Sequence, residues 1–142
     1  MKFKLLRKGI SWNKRDGAHQ IGQLEVAPLD FRLVFPIPTI KSPSEDGKVD
    51  RQWWFSGDKG EAYFGVCAYS LTSLYDRDLP SPAEFWNGQE RAILSISGKD
   101  FRGLTDFLAW IALLPGAEAC SGDKLTARAV ERRWAEWAAE GK

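Results

Sequence analysis

Histidine, cysteine and methionine are scarce in this 142-residue sequence: one His, two Cys and one Met. A structural zinc site usually takes four His or Cys ligands, and His19, Cys67 and Cys120 cannot supply them. Two cysteines are too few for a disulfide scaffold, and in a reducing compartment both are expected as free thiols. A Cys67–His19 dyad can be written, but no third orienting group stands out, and His19 reads more simply as a surface residue after a turn. Gly98-Lys99 lacks the upstream glycine of a phosphate loop, and Asp100 stands where Ser or Thr belongs. A calcium loop aligned on Gly47 fails, because Ser42 and Ser44 replace carboxylates and Trp53 replaces the bidentate Glu. No catalytic residue, metal ligand or cofactor site is assigned. The chain is expected not to be an enzyme.

Long apolar runs are also missing. The longest is residues 107–114, against the ~20 residues a membrane-spanning helix needs. The start is basic, but only Leu5 and Leu6 follow, which is no signal-peptide core, and residue 2 is Lys, which excludes myristoylation. The expectation is a cytoplasmic protein without a membrane partner. At 44% hydrophobic and 27% charged residues the composition is that of a globular chain, not a disordered one. Its length fits one domain over residues 1–142.

Charge of one sign is absent overall, with a net +1, but it is unevenly spread. Residues 1–16 carry six Lys or Arg against one acid, whereas residues 61–100 carry three against six. A near-neutral whole argues against a dedicated duplex-DNA coat and leaves room for a local basic lip.

The patterning predicts an α+β fold. An antiparallel sheet of five to six strands fills the first two-thirds, with two main helices and one short helix packed on one face. Strands are expected at residues 2–5, 20–27, 31–37 and 91–97, with a hairpin over 51–55 and 61–71 joined by a Gly-bounded turn at 56–60. The 31–37 strand is expected to be an edge or to end at the prolines, because Pro36 and Pro38 cannot donate to a ladder. Residues 39–50, polar with Pro and Gly, read as a flexible loop. Ser81-Pro82-Ala83-Glu84 is a helix start, and Asn87-Gly88 its stop. A second helix is expected over 99–114, a linker over 116–122, and an amphipathic helix over about 124–139.

Aromatics are what the sequence has in excess, at 13% of the chain with seven Trp. Phe64, Phe101, Phe107 and Trp110 lie in apolar runs and are expected in the core. Trp134 and Trp137 share a face with Ala127, Val130 and Ala138, which either clamps the last helix to the sheet or meets a partner. In Trp53-Trp54-Phe55, alternation puts Trp54 on the face opposite its neighbours.

Two functions follow. The first is a small non-enzymatic protein that binds another protein, of the inhibitor, immunity or adaptor type found in phage or bacteria. Its candidate contacts are Trp54, Trp134, Trp137, Asp76 and Asp78. The second is a single-stranded nucleic-acid-binding module. There Trp53, Trp54 and Tyr63 form an aromatic sheet face beside Lys4, Arg7, Lys8, Lys14 and Arg15. The scarcity of catalytic groups and the near-zero net charge favour the first.

Overall fold

The computed structural model describes residues 2–58 and 62–141. Six strands form one antiparallel sheet: β1 (Phe3–Leu5), β2 (His19–Val26), β3 (Trp53–Gly57), β4 (Tyr63–Cys67), β5 (Ala92–Gly98) and β6 (Glu118–Ser121). Their spatial order is β1-β3-β4-β5-β2-β6. Five helices accompany them among the described residues: α1 (Trp12–Arg15), α2 (Pro28–Val34), α3 (Pro82–Trp86), α4 (Leu104–Ile111) and α5 (Lys124–Glu140). The fold is α+β, with a long C-terminal helix. No helix among the described residues is long and apolar enough to cross a membrane.

The register separates the two faces of the sheet. Trp53 pairs with Val66 and Phe55 with Phe64, and β5 sets Leu94 and Ile96 beside Leu24 and Gly22. These residues point to one face, which α2, α3 and α4 cover. Phe64 stacks on Phe107 of α4 at 4.7 Å, and Trp53 meets Trp86 of α3 at 4.6 Å. The opposite face carries the alternate residues: Trp54, Cys67, Ser95, Ser97, Gln23, Glu25 and Glu118. Ile93, Cys120 and Tyr63 lie on the same side, so polar groups dominate this face only where Gln23, Glu25, Ser95 and Glu118 gather. α5 lies over its β2–β6 end, so the helices do not share one face as the sequence had suggested.

The helix start at Ser81 is as expected: Ser81 Oγ accepts the N–H of Glu84 at 3.2 Å. The hairpin of β3 and β4 is also in place, but β3 runs on through Ser56 and Gly57 of the expected turn and β4 ends at Cys67, not at residue 71; residues 59–61 lie outside the described residues. Residues 39–50 do form a loop, but it is tied down. Thr39 Oγ1 donates to Leu6 O at 2.5 Å and accepts from Trp54 N at 2.9 Å, and Ser44 N donates to Val49 O at 2.8 Å.

Three expectations are corrected. Residues 31–37 are not a strand, since Pro28–Val34 is helix α2. Phe31 and Phe35 fit a helical i, i+4 spacing as well as alternation, their rings meet at 5.3 Å, and Pro28 opens the first turn. The second helix starts at Leu104 and not at 99. Asp100 Oδ1 instead accepts Arg102 N at 2.9 Å, and Gly103 takes φ 75°, a left-handed conformation that breaks the run. Phe101 is therefore 67% exposed and not core. Phe64 and Phe107 are buried, and Trp110 packs half-buried against them. Finally, residues 116–122 are not a linker, because Glu118–Ser121 adds as strand β6 to the edge of β2.

Candidate protein interface

Helix α5 is where the structure departs most from the simple reading of its amphipathic pattern. Five alanines over 17 residues favour helix formation. Its first turn is anchored by Gln23 of β2, whose side chain accepts Thr126 N at 3.1 Å and donates to Thr126 Oγ1 at 2.6 Å. One of the free N–H groups of the helix start is thereby satisfied. Leu125 is buried. Arg128 Nη2 donates to Glu118 at 2.7 Å, and Arg132 Nη2 reaches Glu25 at 3.8 Å. Arg91 binds the same two acids, at 2.8 Å to Glu25 and 3.9 Å to Glu118. The Glu118 hydrogen bond, and then its charge, raise the Arg128 pKa above the ordinary value. Residues 125, 128 and 132 are spaced i, i+3 and i+7, which is one helix face.

The docked face is thus the polar one. The apolar face of Ala127, Val130, Trp134, Trp137 and Ala138 points to solvent: Trp134 is 63% exposed and Trp137 is 56% exposed. Their rings touch each other edge to face at 5.2 Å. The reason lies in the sheet. Gln23, Glu25 and Glu118 point away from the core directly below α5, so the helix docks there by hydrogen bonds and ion pairs from Thr126, Arg128 and Arg132 and not by its indoles. An open trough of about 720 Å³ runs between helix and sheet, with Gln23, Glu25, Arg91 and Arg132 on its polar side and Leu71 and Ile93 on its apolar side. From residue 133 onward every described residue of the helix is exposed. The expectation that these tryptophans clamp the helix onto the sheet is overturned.

The other candidates scatter. Trp54 is 4% exposed, with Nε1 donating to Gln52 Oε1 at 2.9 Å. Its ring closes over Gly65, so it presents no surface to a partner. Trp53 is fully buried and offers no ring for stacking. Asp76 and Asp78 are exposed, and Asp76 Oδ1 accepts Asp78 N at 3.0 Å within their own turn. Lys4, Arg7 and Lys8 are exposed. Lys14 Nζ sits 5.2 Å over the Tyr63 ring, in a cleft of about 420 Å³ that Lys99 and Arg102 also line. Arg15 stacks on Trp12 at 5.0 Å. The last two of those cleft cations were missed because they follow the strand far along the chain from the basic N-terminus. Among the described residues no three His, Cys, Asp or Glu side chains converge as a metal site. His19 is exposed, with Nδ1 3.4 Å from Gly17 O.

Both cysteines are free. Burial pushes the Cys67 thiol up to about 11, and the charges of Asp50 and Asp46 add to this. The reactive form is the thiolate, so alkylation of Cys67 by iodoacetamide at pH 8 is expected to run at least ~10-fold slower than that of a free cysteine. Peptide mapping of a labelling time course measures this, and labelling of Cys67 at the free rate would contradict the burial.

No model of a known protein family matches this sequence, and no curated protein matches it.

Proposed function

We propose that this is a small non-enzymatic binding protein, of inhibitor, immunity or adaptor type, that acts through protein–protein contacts made by the outward face of α5. One observation carries the reading: the helix is docked by its charged face and leaves Val130, Trp134 and Trp137 in water. Trp is enriched where proteins bind tightly, because one side chain removes a large apolar area from water at low rotamer cost. A photocrosslinker placed at Ala138 tests the proposal in lysate of the host cell. The expected result is a covalent adduct with a different protein, absent when the probe sits at Leu113 and lost in Trp134→Ala/Trp137→Ala. No adduct above the Leu113 background would remove the support.

A second reading, binding of single-stranded nucleic acid, is favoured by the Lys14–Tyr63 contact with Lys99 and Arg102 beside it. It lost Trp53 and Trp54 as stacking platforms. Intrinsic fluorescence during titration with short DNA and RNA separates the two. Quenching that weakens steeply with salt belongs to the nucleic-acid reading, and no response belongs to the protein-binding one.

A further inference from the structure

The outward stripe of α5 is self-complementary. Residues 127, 130, 134 and 137 alternate steps of three and four, the spacing of a helix–helix seam. In an antiparallel pair of α5 helices centred between Trp134 and Trp137, each Trp134 lies opposite Trp137 of the second copy. Val130 then lies opposite Gly141 of the second copy, which leaves room for the bulk of the tryptophans. The residues that flank the seam fall into register as well. Arg133 meets Glu140 of the second copy, and the two-fold axis makes the same pair again in reverse. On the other flank Glu131 meets Ala138, so no like charges oppose each other. A parallel pair has none of this: Arg133 would face Ala138, and Glu140 would face nothing charged. Among the described residues neither Arg133 nor Glu140 has an ion-pair partner within its own chain, and both are exposed.

We infer that, when no other protein occupies it, the outward face of α5 is closed by α5 of a second copy, antiparallel, with the four indoles at the centre and two Arg133–Glu140 pairs at the rim. This rests on the reading of α5 as a docking surface and names an occupant. The distal half of the helix has no tertiary support of its own, and most helical stability in proteins comes from packing an apolar face. Two indoles, Val130 and the stems of the flanking residues make roughly 500 Å² per copy, so roughly 1,000 Å² in all, at the low end of specific interfaces. An interface of that size suits a concentration-dependent dimer that a better-fitting protein can displace.

Sedimentation equilibrium of the purified full chain from 1 to 500 μM, with circular dichroism as the folding control, tests it. The wild type is expected to pass from monomer to dimer. Arg133→Glu alone places an acid against Glu140 of the second copy, and Glu140→Arg alone sets two arginines together. Each is expected to weaken the dimer at least tenfold while remaining folded, because both sites are exposed. An equimolar mixture of the two variants restores both ion pairs and is expected to regain wild-type affinity as a heterodimer. A chain that stays monomeric throughout overturns the inference, as does a dimer indifferent to both variants or a mixture that fails to recover. None of these results bears on the Ala138 adduct with a different protein, which is read in a separate experiment.

Discussion

Trp53→Ala is expected to cost about 3–5 kcal/mol of stability, the range for deleting a fully buried aromatic. The indole is inaccessible to solvent and wedged between Phe31 at 5.0 Å and Trp86 at 4.6 Å. Its Nε1 donates to Phe35 O at 2.9 Å. Truncation therefore opens a cavity between β3, α2 and α3 and also strands a part-buried carbonyl, a further penalty of ~1–3 kcal/mol if water does not reach it. Domains are stable by about 5–15 kcal/mol, so this one change uses up much of the margin. The midpoint of thermal unfolding should fall by roughly 10–20 °C. Trp134→Ala, by contrast, removes an exposed ring and should stay within ~0.5 kcal/mol of wild type. Circular-dichroism melts of the two variants side by side decide the matter. Equal losses would mean that α5 is packed by its tryptophans after all.

The second large effect concerns Gly22. A Cβ there would lie 2.8 Å from the backbone oxygen of Cys120 and 3.6 Å from Leu108 Cδ2. The first neighbour is main chain and cannot rotate aside. With Gly22→Ala, either β6 moves off β2 or β2 moves against α4. Overpacking of this kind costs typically ~1–3 kcal/mol. The damage should be local. β6 carries Glu118, and Glu118 holds Arg128, so the strand and the helix loosen together. Hydrogen exchange is expected to speed up in β6 and the first turns of α5 while β3, β4 and β5 keep their protection. Uniform loss of protection across the sheet would argue against a separable β6–α5 unit.

Much of this was legible in the residues. The Ser81 cap, the β3–β4 hairpin, β2, β5 and the extent of α5 all follow local rules: side-chain capping, alternation, helical period. Errors came where two rules fit equally. Phe31 and Phe35 satisfy both a period of two and a spacing of four, and only the packing of their rings on Trp53 and Phe55 chooses the helix. Phe101 looked helical because nothing in the local pattern reveals that Asp100 will turn the chain on itself. The direction of α5 was illegible for another reason. A helix with one apolar face says nothing about which face meets the body, since that depends on the ground beneath it. Here Gln23, Glu25 and Glu118 provide polar ground, and they lie about a hundred residues before the helix or only just ahead of it. Trp134 and Trp137 could be singled out from composition and spacing. Arg133 and Glu140 could not, because the contact that gives them meaning is not made within one chain.

The strand order also dictates a timetable for the nascent chain. β2 is the second strand in sequence but sits between β5 and β6 in the sheet. Both of its edges stay open until those late segments have left the ribosome. About ninety residues separate the end of β2 from the start of β6. At ~5–20 residues per second that is an interval of roughly 5–20 s during translation. β5 starts about sixty-five residues after β2, so for roughly 3–13 s an eight-residue strand with Ile21, Leu24 and Val26 on one side has no neighbour to pair with, and its other edge waits longer for β6. Gln23 and Glu25, which later receive α5, keep the other side of that waiting strand wetted, so the residues that anchor the finished helix also serve as gatekeepers against premature pairing between growing chains.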